Sequence, residues 1–129
     1  MNIPPFDIQV HPAYLADQSQ PQAHVYSFSY TITIANRGDK PAQLISRHWV
    51  ITDAHGHIEE VKGLGVVGHQ PLLQPGQAFE YTSGCRLHTA TGFMQGTFHL
   101  VTEDGTPFEV PVARFYLDAS DHGEARTLH

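Results

Sequence analysis

The sequence predicts an all-β protein, an immunoglobulin-like or fibronectin type III-like β-sandwich of about seven strands. Three observations carry that prediction. Apolar residues alternate with polar ones at period two in several separate runs. Clusters of Gly, Pro, Asn and Asp punctuate those runs. No segment has the 3.6-residue period of an amphipathic helix. The 129 residues fit one domain, and a chain of that size buries roughly two-thirds of its unfolded surface without staples. The core is expected over about 8–117, and the polar tail 118–129 is expected to be mobile.

The elements follow in order. Ile8, Val10 and Tyr14 mark a first strand. Val25 to Ala35 alternates cleanly, with Tyr26, Phe28, Tyr30, Ile32 and Ile34 on one face and Ser27, Ser29, Thr31 and Thr33 on the other. Asn36-Arg37-Gly38-Asp39-Lys40-Pro41 is a turn; its Arg-Gly-Asp is turn chemistry rather than an adhesion signal. Ala42 to Asp53 is the next strand, with Ile45, Trp49 and Ile51 expected on its core face. Asp53-Ala54-His55-Gly56 turns the chain into a weaker strand, His57 to Lys62. Ala78 to Ser83 carries Phe79 and Tyr81 inward. Gly92 to Thr102 presents Met94, Phe98 and Leu100. Asp104-Gly105 supplies the positive φ angles of a tight hairpin, and Phe108, Val110 and Val112 alternate in the last strand.

Composition excludes several function classes. Net charge is −6, and the seven Lys and Arg residues are scattered, so no duplex nucleic acid partner is expected. The start MNIPPFDIQV has no secretory pattern, and no apolar run approaches the roughly 20 residues that span a bilayer. The lone Cys85 forms no internal disulfide and suits a reducing compartment. A cytoplasmic protein with no membrane insertion and no cofactor is the expectation.

The segment Val61 to Cys85 is the most informative. It contains a Gly-x-Gly-x-x-Gly run at Gly63, Gly65 and Gly68, followed at once by Pro71. A dinucleotide site needs that run between a strand and a helix; here it lies between strands. It reads as a loop whose glycines either relieve backbone strain or present amides to an anion, with Lys62 and His69 at its ends. The loop is expected to lie outside the core, so Gly65→Val should leave the fold mostly intact.

Ten histidines are many for this length. His55 and His57, two apart, would share a face of a strand and supply two ligands to a metal. His48, His69, Glu59 and Glu60 are candidates for a third. Cys85 has His88 three residues away, a weak signal for a nucleophile and better read as a partly buried thiol. Arg47, His48 and Trp49 are hot-spot residue types, yet the alternation puts Trp49 in the core. No catalytic constellation stands out.

Four motifs in order, Arg47-His48-Trp49-Val50-Ile51-Thr52-Asp53, Gly65-Val66-Val67-Gly68-x-Gln70-Pro71, Tyr81-Thr82-Ser83-Gly84 and Met94-Gln95-Gly96, resemble the ApaG (CorD) family. The resemblance spans about Ile8 to Leu117. It implies a fibronectin type III-like sandwich and a link to cobalt tolerance and magnesium efflux. It also implies use as an interaction module, since related domains occur in eukaryotic F-box proteins and a polymerase-interacting protein. Through the family, the glycine run is implied as a pyrophosphate site. One departure is His69, where many members carry Glu. The residues and the resemblance together favour a non-enzymatic binding or regulatory module with a protein partner. Two alternatives stand beside it: a phosphate-containing small ligand or nucleotide held by the glycine loop, and a divalent-cation-responsive accessory protein.

Overall fold

A computed structural model describes residues 5–120. The strands are β1 (Phe6–Tyr14), β2 (Tyr26–Asn36), β3 (Ala42–Asp53), β4 (Ile58–Leu64), β5 (Leu72–Leu73), β6 (Ala78–Leu87), β7 (Thr91–Thr102) and β8 (Pro107–Asp118). They form two antiparallel sheets. The smaller has the order β1–β2–β6; the larger has the order β4–β3–β7–β8, with β5 pairing β3 past the end of β4. The expected seven strands are all present, β5 is a two-residue addition, and two single turns of 3-10 helix link β1 to β2. The expected mobile tail lies, from residue 121 on, outside the described residues. Among the described residues no helix is long and apolar enough to cross a membrane.

The inner faces interdigitate. Phe28, Tyr30, Ile32 and Ile34 from β2 meet Trp49, Ile51, Met94, Phe98, Leu100, Val110 and Phe115 from the larger sheet, all buried. Tyr26 and Phe79, expected in the core, are only partly buried and pack against its margin. Ile45 departs from expectation too. A register shift between Leu44 and Ser46 inserts one extra residue in β3. The bulge inverts the alternation, so Leu44 is fully buried and Ile45 only half-buried. After it, Arg47, Trp49 and Ile51 share the inner face, opposite Gly63, Val61 and Glu59 of β4.

One end is tied by Asn36, which is fully buried. Its Nδ2 donates to the carbonyls of Lys40 at 2.8 Å and Leu73 at 2.9 Å, and its Oδ1 accepts from Gly38 N at 2.9 Å. This satisfies turn groups that burial would otherwise leave unpaired. The Arg37-Gly38-Asp39 sequence is thereby part of a structural turn.

The two sides of the sandwich differ. Phe6 of β1 and Phe108 of β8 close one side, with ring centroids 5.9 Å apart. On the other side β4 and β6 are both sheet edges, and a cleft opens between them.

Candidate functional site

The glycine run divides into three unlike positions. Gly63 lies within β4, not in the loop. A Cβ there would come within 2.9 Å of Arg47 Nη1, so this glycine seats the Arg47 guanidinium. Gly65 has φ +63°, and a Cβ would collide with the His69 carbonyl oxygen. Gly68 has φ +85° with nothing near its Cβ position. Val66 and His69 bond each other reciprocally, N to O, at 2.8 and 2.9 Å. Between them Val67, at φ +41°, and Gly68 form a two-residue hairpin turn of the type in which both central residues take positive φ.

This geometry corrects the expectation that the loop lies outside the core. Val66 is fully buried. Gly65 N donates to Ile45 O at 2.8 Å, Gln70 Nε2 to the same carbonyl at 2.9 Å, and Arg47 Nη1 to Gly65 O at 2.8 Å. The amides of Gly65, Val66 and His69 are therefore spent inside the protein. The basic groups at its ends serve different neighbours. Lys62 stands beside His48 on the outer face of the larger sheet, whereas the His69 ring packs on Phe79, centroids 5.7 Å apart.

His55 and His57 do not share a strand face as expected. His55 sits in the turn and His57 just before β4, because both backbone N–H groups donate to Asp53 Oδ1 at 2.9 Å. Desolvation raises the Asp53 carboxyl, but these two donors outweigh it and hold it below its ordinary value. Among the described residues no three His, Cys, Asp or Glu side chains group as a metal site. Of the expected third ligands, His48 faces Glu60 at 3.1 Å and His69 packs on Phe79.

Cys85 is half-buried on β6 and contacts Met94 Sδ at 3.8 Å. Burial, and then the charge of Glu59, push its thiol up to about 12. His88 engages the carbonyl of His24 at 3.3 Å, not the thiol. The native protein should react with iodoacetamide at pH 8 at least about a hundredfold more slowly than the unfolded chain, since only thiolate attacks. Equal rates would show that Cys85 is exposed and ionisable.

The cleft between β4 and β6 holds about 330 Å³. Its β3–β4 wall mixes Trp49, Ile51 and Val61 with Arg47 and Glu59, and Tyr30, Ser83, Cys85 and Arg86 line it from the other sheet. Burial raises the Tyr30 hydroxyl above its ordinary value, against a hydrogen bond from Ser83 that lowers it. The Tyr81 hydroxyl is buried with no hydrogen-bond partner among the described residues. Sequence reading set Arg47 aside with Trp49; its placement two residues before Trp49, on the same face, was the available signal.

The outer faces of the two sheets contrast. On the smaller sheet Thr31 and Thr82 hydroxyls share a hydrogen bond at 2.8 Å, and Thr33 donates to Glu80 at 3.2 Å. On the larger sheet Ile58, Thr52, Phe93 and Tyr116 stand in register across four strands. Phe93 and Tyr116 rings lie 6.1 Å apart, and Arg114 Cζ sits 3.9 Å above Phe93. Among the described residues the exposed large apolar side chains, Ile58, Leu64, Val67, Leu72 and Tyr116, all belong to this sheet or to the β4–β5 connection.

Comparison with known proteins gives a consistent picture. A family model described as the ApaG domain matches residues 16–102. Protein ApaG of Acidovorax sp. (strain JS42) is 61% identical over 128 residues, 95% of this chain and 93% of that protein. Protein ApaG of Bordetella pertussis is 54% identical over 129 residues, covering 98% and 95%. A crystal structure of a putative ApaA protein from Bordetella pertussis matches with a TM-score of 0.87 at 55% identity, over 89% of this chain and 94% of that one.

Proposed function

The chain belongs to the ApaG family, and from that premise we propose that it is a non-enzymatic binding module of the cytoplasm that acts through a protein partner. The observation that supports this is the row Ile58–Thr52–Phe93–Tyr116, in which Ile58, Phe93 and Tyr116 are apolar or aromatic, on a face that the smaller sheet has no counterpart to among the described residues. Exposed apolar side chains gathered on one face mark contact surfaces. Aromatic and arginine side chains carry most of the binding energy at such surfaces, and Phe93, Arg114 and Tyr116 supply both here. The charged half of the same face, with Lys62, His48–Glu60 and His99–Glu109, would set orientation. On this reading the cobalt and magnesium phenotypes implied by the family arise through the partner.

The reading is tested with an Ile58→Glu, Tyr116→Glu double variant, and Thr31→Glu on the opposite sheet as control. Both changes are at exposed positions, so folding should survive. A partner identified by cross-linking in extract should bind the double variant at least about thirtyfold more weakly, the loss of roughly 2 kcal/mol expected of a hot spot. It should bind the Thr31→Glu protein as it binds wild type. Undiminished binding by the double variant would move the contact surface elsewhere.

A further inference from the structure

β4 is a free edge of the larger sheet: it pairs β3 on one side and no strand on the other. Asp53 N donates to His57 O at 3.0 Å and Gly65 N to Ile45 O at 2.8 Å, in line with the β3–β4 register. Backbone direction alternates along an antiparallel strand, so Glu59, Val61 and Gly63 aim their N–H and C=O groups at β3. Ile58, Glu60, Lys62 and Leu64 aim theirs outward. Of these outward groups only the Leu64 carbonyl has a partner among the described residues, Arg47 Nη1 at 3.1 Å. The same four side chains lie on the outer face, where Ile58 is 58% and Leu64 75% exposed. An open edge flanked by large exposed apolar side chains is a template for a further strand.

The order of charges selects the strand that fits. Lys and Glu on an edge usually discourage pairing, but here they complement one register. Outward groups must meet outward groups, so an antiparallel copy of β4 can centre on Glu60, Val61 or Lys62. Centring on Glu60 sets Glu60 against itself, and centring on Lys62 sets Lys62 against itself. Like charges directly opposite are destabilising. Centring on Val61 matches the strand end to end, with Glu60 opposite Lys62 and Ile58 opposite Leu64 on both sides of the axis. On the inner side Glu59 then stands opposite Gly63, on which the Arg47 guanidinium rests. Acid again meets base. The free edge of the smaller sheet, β6, agrees. Ser83 lines the same cleft as Val61, and a two-fold axis through both brings Glu80 toward Arg86 of the copy.

We propose that β4 pairs antiparallel with β4 of a second copy, about a two-fold axis at Val61, and joins the two larger sheets into one. A second copy is the occupant because the strand is its own complement in length, in charge and in its apolar ends. A two-fold contact of this kind uses the same edge of both copies and closes there. One short strand pair is a small interface, so a dissociation constant of about 10 μM to 1 mM is expected. The inference goes beyond the partner contact above and does not need it. Tyr116 lies on β8, the far edge of the sheet. A change that blocks pairing leaves Phe93, Arg114 and Tyr116 in place, so either reading can fail alone.

Sedimentation equilibrium of the whole protein should show a reversible monomer–dimer equilibrium. Glu60→Lys and Lys62→Glu each set like charges opposite at two symmetric places and should weaken the dimer about fivefold or more. The exchange variant with both changes restores opposite charges and should associate within about threefold of wild type. Both positions are exposed, so the variants should fold. Loss of the His48–Glu60 pair is common to Glu60→Lys and the exchange, so recovery can come only from the seam. A cross-link tests the register. Val61→Cys, with Cys85→Ala to remove the native thiol, places two thiols across the axis. Cα atoms of such a non-hydrogen-bonded pair stand about 4.5 Å apart, within disulfide range. Oxidation with diamide should give a covalent dimer, and Ile58→Cys in the same background, matched with Leu64, should give at least about tenfold less. Should the exchange variant fail to fold, the cross-link decides alone. A monomer at about 1 mM, a dimer untouched by either single change, no recovery in the exchange, or equal cross-linking at positions 61 and 58 would overturn the proposal.

Discussion

Replacing Trp49 with alanine should destabilise the protein by roughly 3–5 kcal/mol, the range for the largest core truncations. Trp49 is 2% exposed. Its ring meets Tyr30, Phe98 and Phe115 with centroids 5.7, 5.8 and 6.0 Å away, all in edge-on arrangements. Such pairs add about 0.5–1.5 kcal/mol beyond area burial. The indole also lies over Gly96, where a Cβ would approach it to 2.7 Å. It therefore fills the space between the sheets from three strands at once, and the backbone tied into two ladders cannot collapse to close the void. Urea unfolding of the variant measures the loss. A change under about 1 kcal/mol, the size of a surface effect, would contradict the packing described for this core.

Gly65→Val should destabilise by roughly 2–6 kcal/mol. This combines strain of about 1–3 kcal/mol for a β-branched residue at positive φ with a similar overpacking cost. The Cβ would strike the His69 carbonyl, and that carbonyl accepts from Val66 N, whose side chain is fully buried. Gly68→Ala is the matched comparison. Its φ is +85°, but nothing lies near the added carbon, so the cost should be about 1–2 kcal/mol. Equal, small effects at both positions would mean that the hairpin floats free of the core.

The fold was legible because period-two alternation survives in nearly every strand. Where it failed, a bulge was the cause. Ile45 reads as a core residue by counting from Trp49, and a single inserted position moves that role to Leu44. Nothing local in Leu44-Ile45-Ser46 signals the insertion, because it depends on the pairing partner. The same limitation hid the strained turn: Val67 at φ +41° is a residue that propensity would never place there.

The site was less legible. The glycines of 63–68 stand out in the sequence, but their uses are unrelated: one seats an arginine, one avoids a carbonyl, one turns a hairpin. Spacing cannot reveal this, since each reason lies in a residue distant in the chain or in backbone geometry. Arg47 was readable in part. Alternation from Trp49 and Ile51 places it inward, and a charged residue on a core face calls for a reason. That Ser83 and Cys85 of the other sheet border the same space follows only from the packing of β6 against β4.

The outer-face contact carries the account, and amide hydrogen exchange of the whole protein with and without its cross-linked partner tests it most directly. Protection should appear in β4, β8 and the β4–β5 connection, centred on Ile58, Leu64, Arg114 and Tyr116, with the Thr31–Thr82 face of the smaller sheet unchanged. Protection confined to the smaller sheet, or none on the larger, would contradict it.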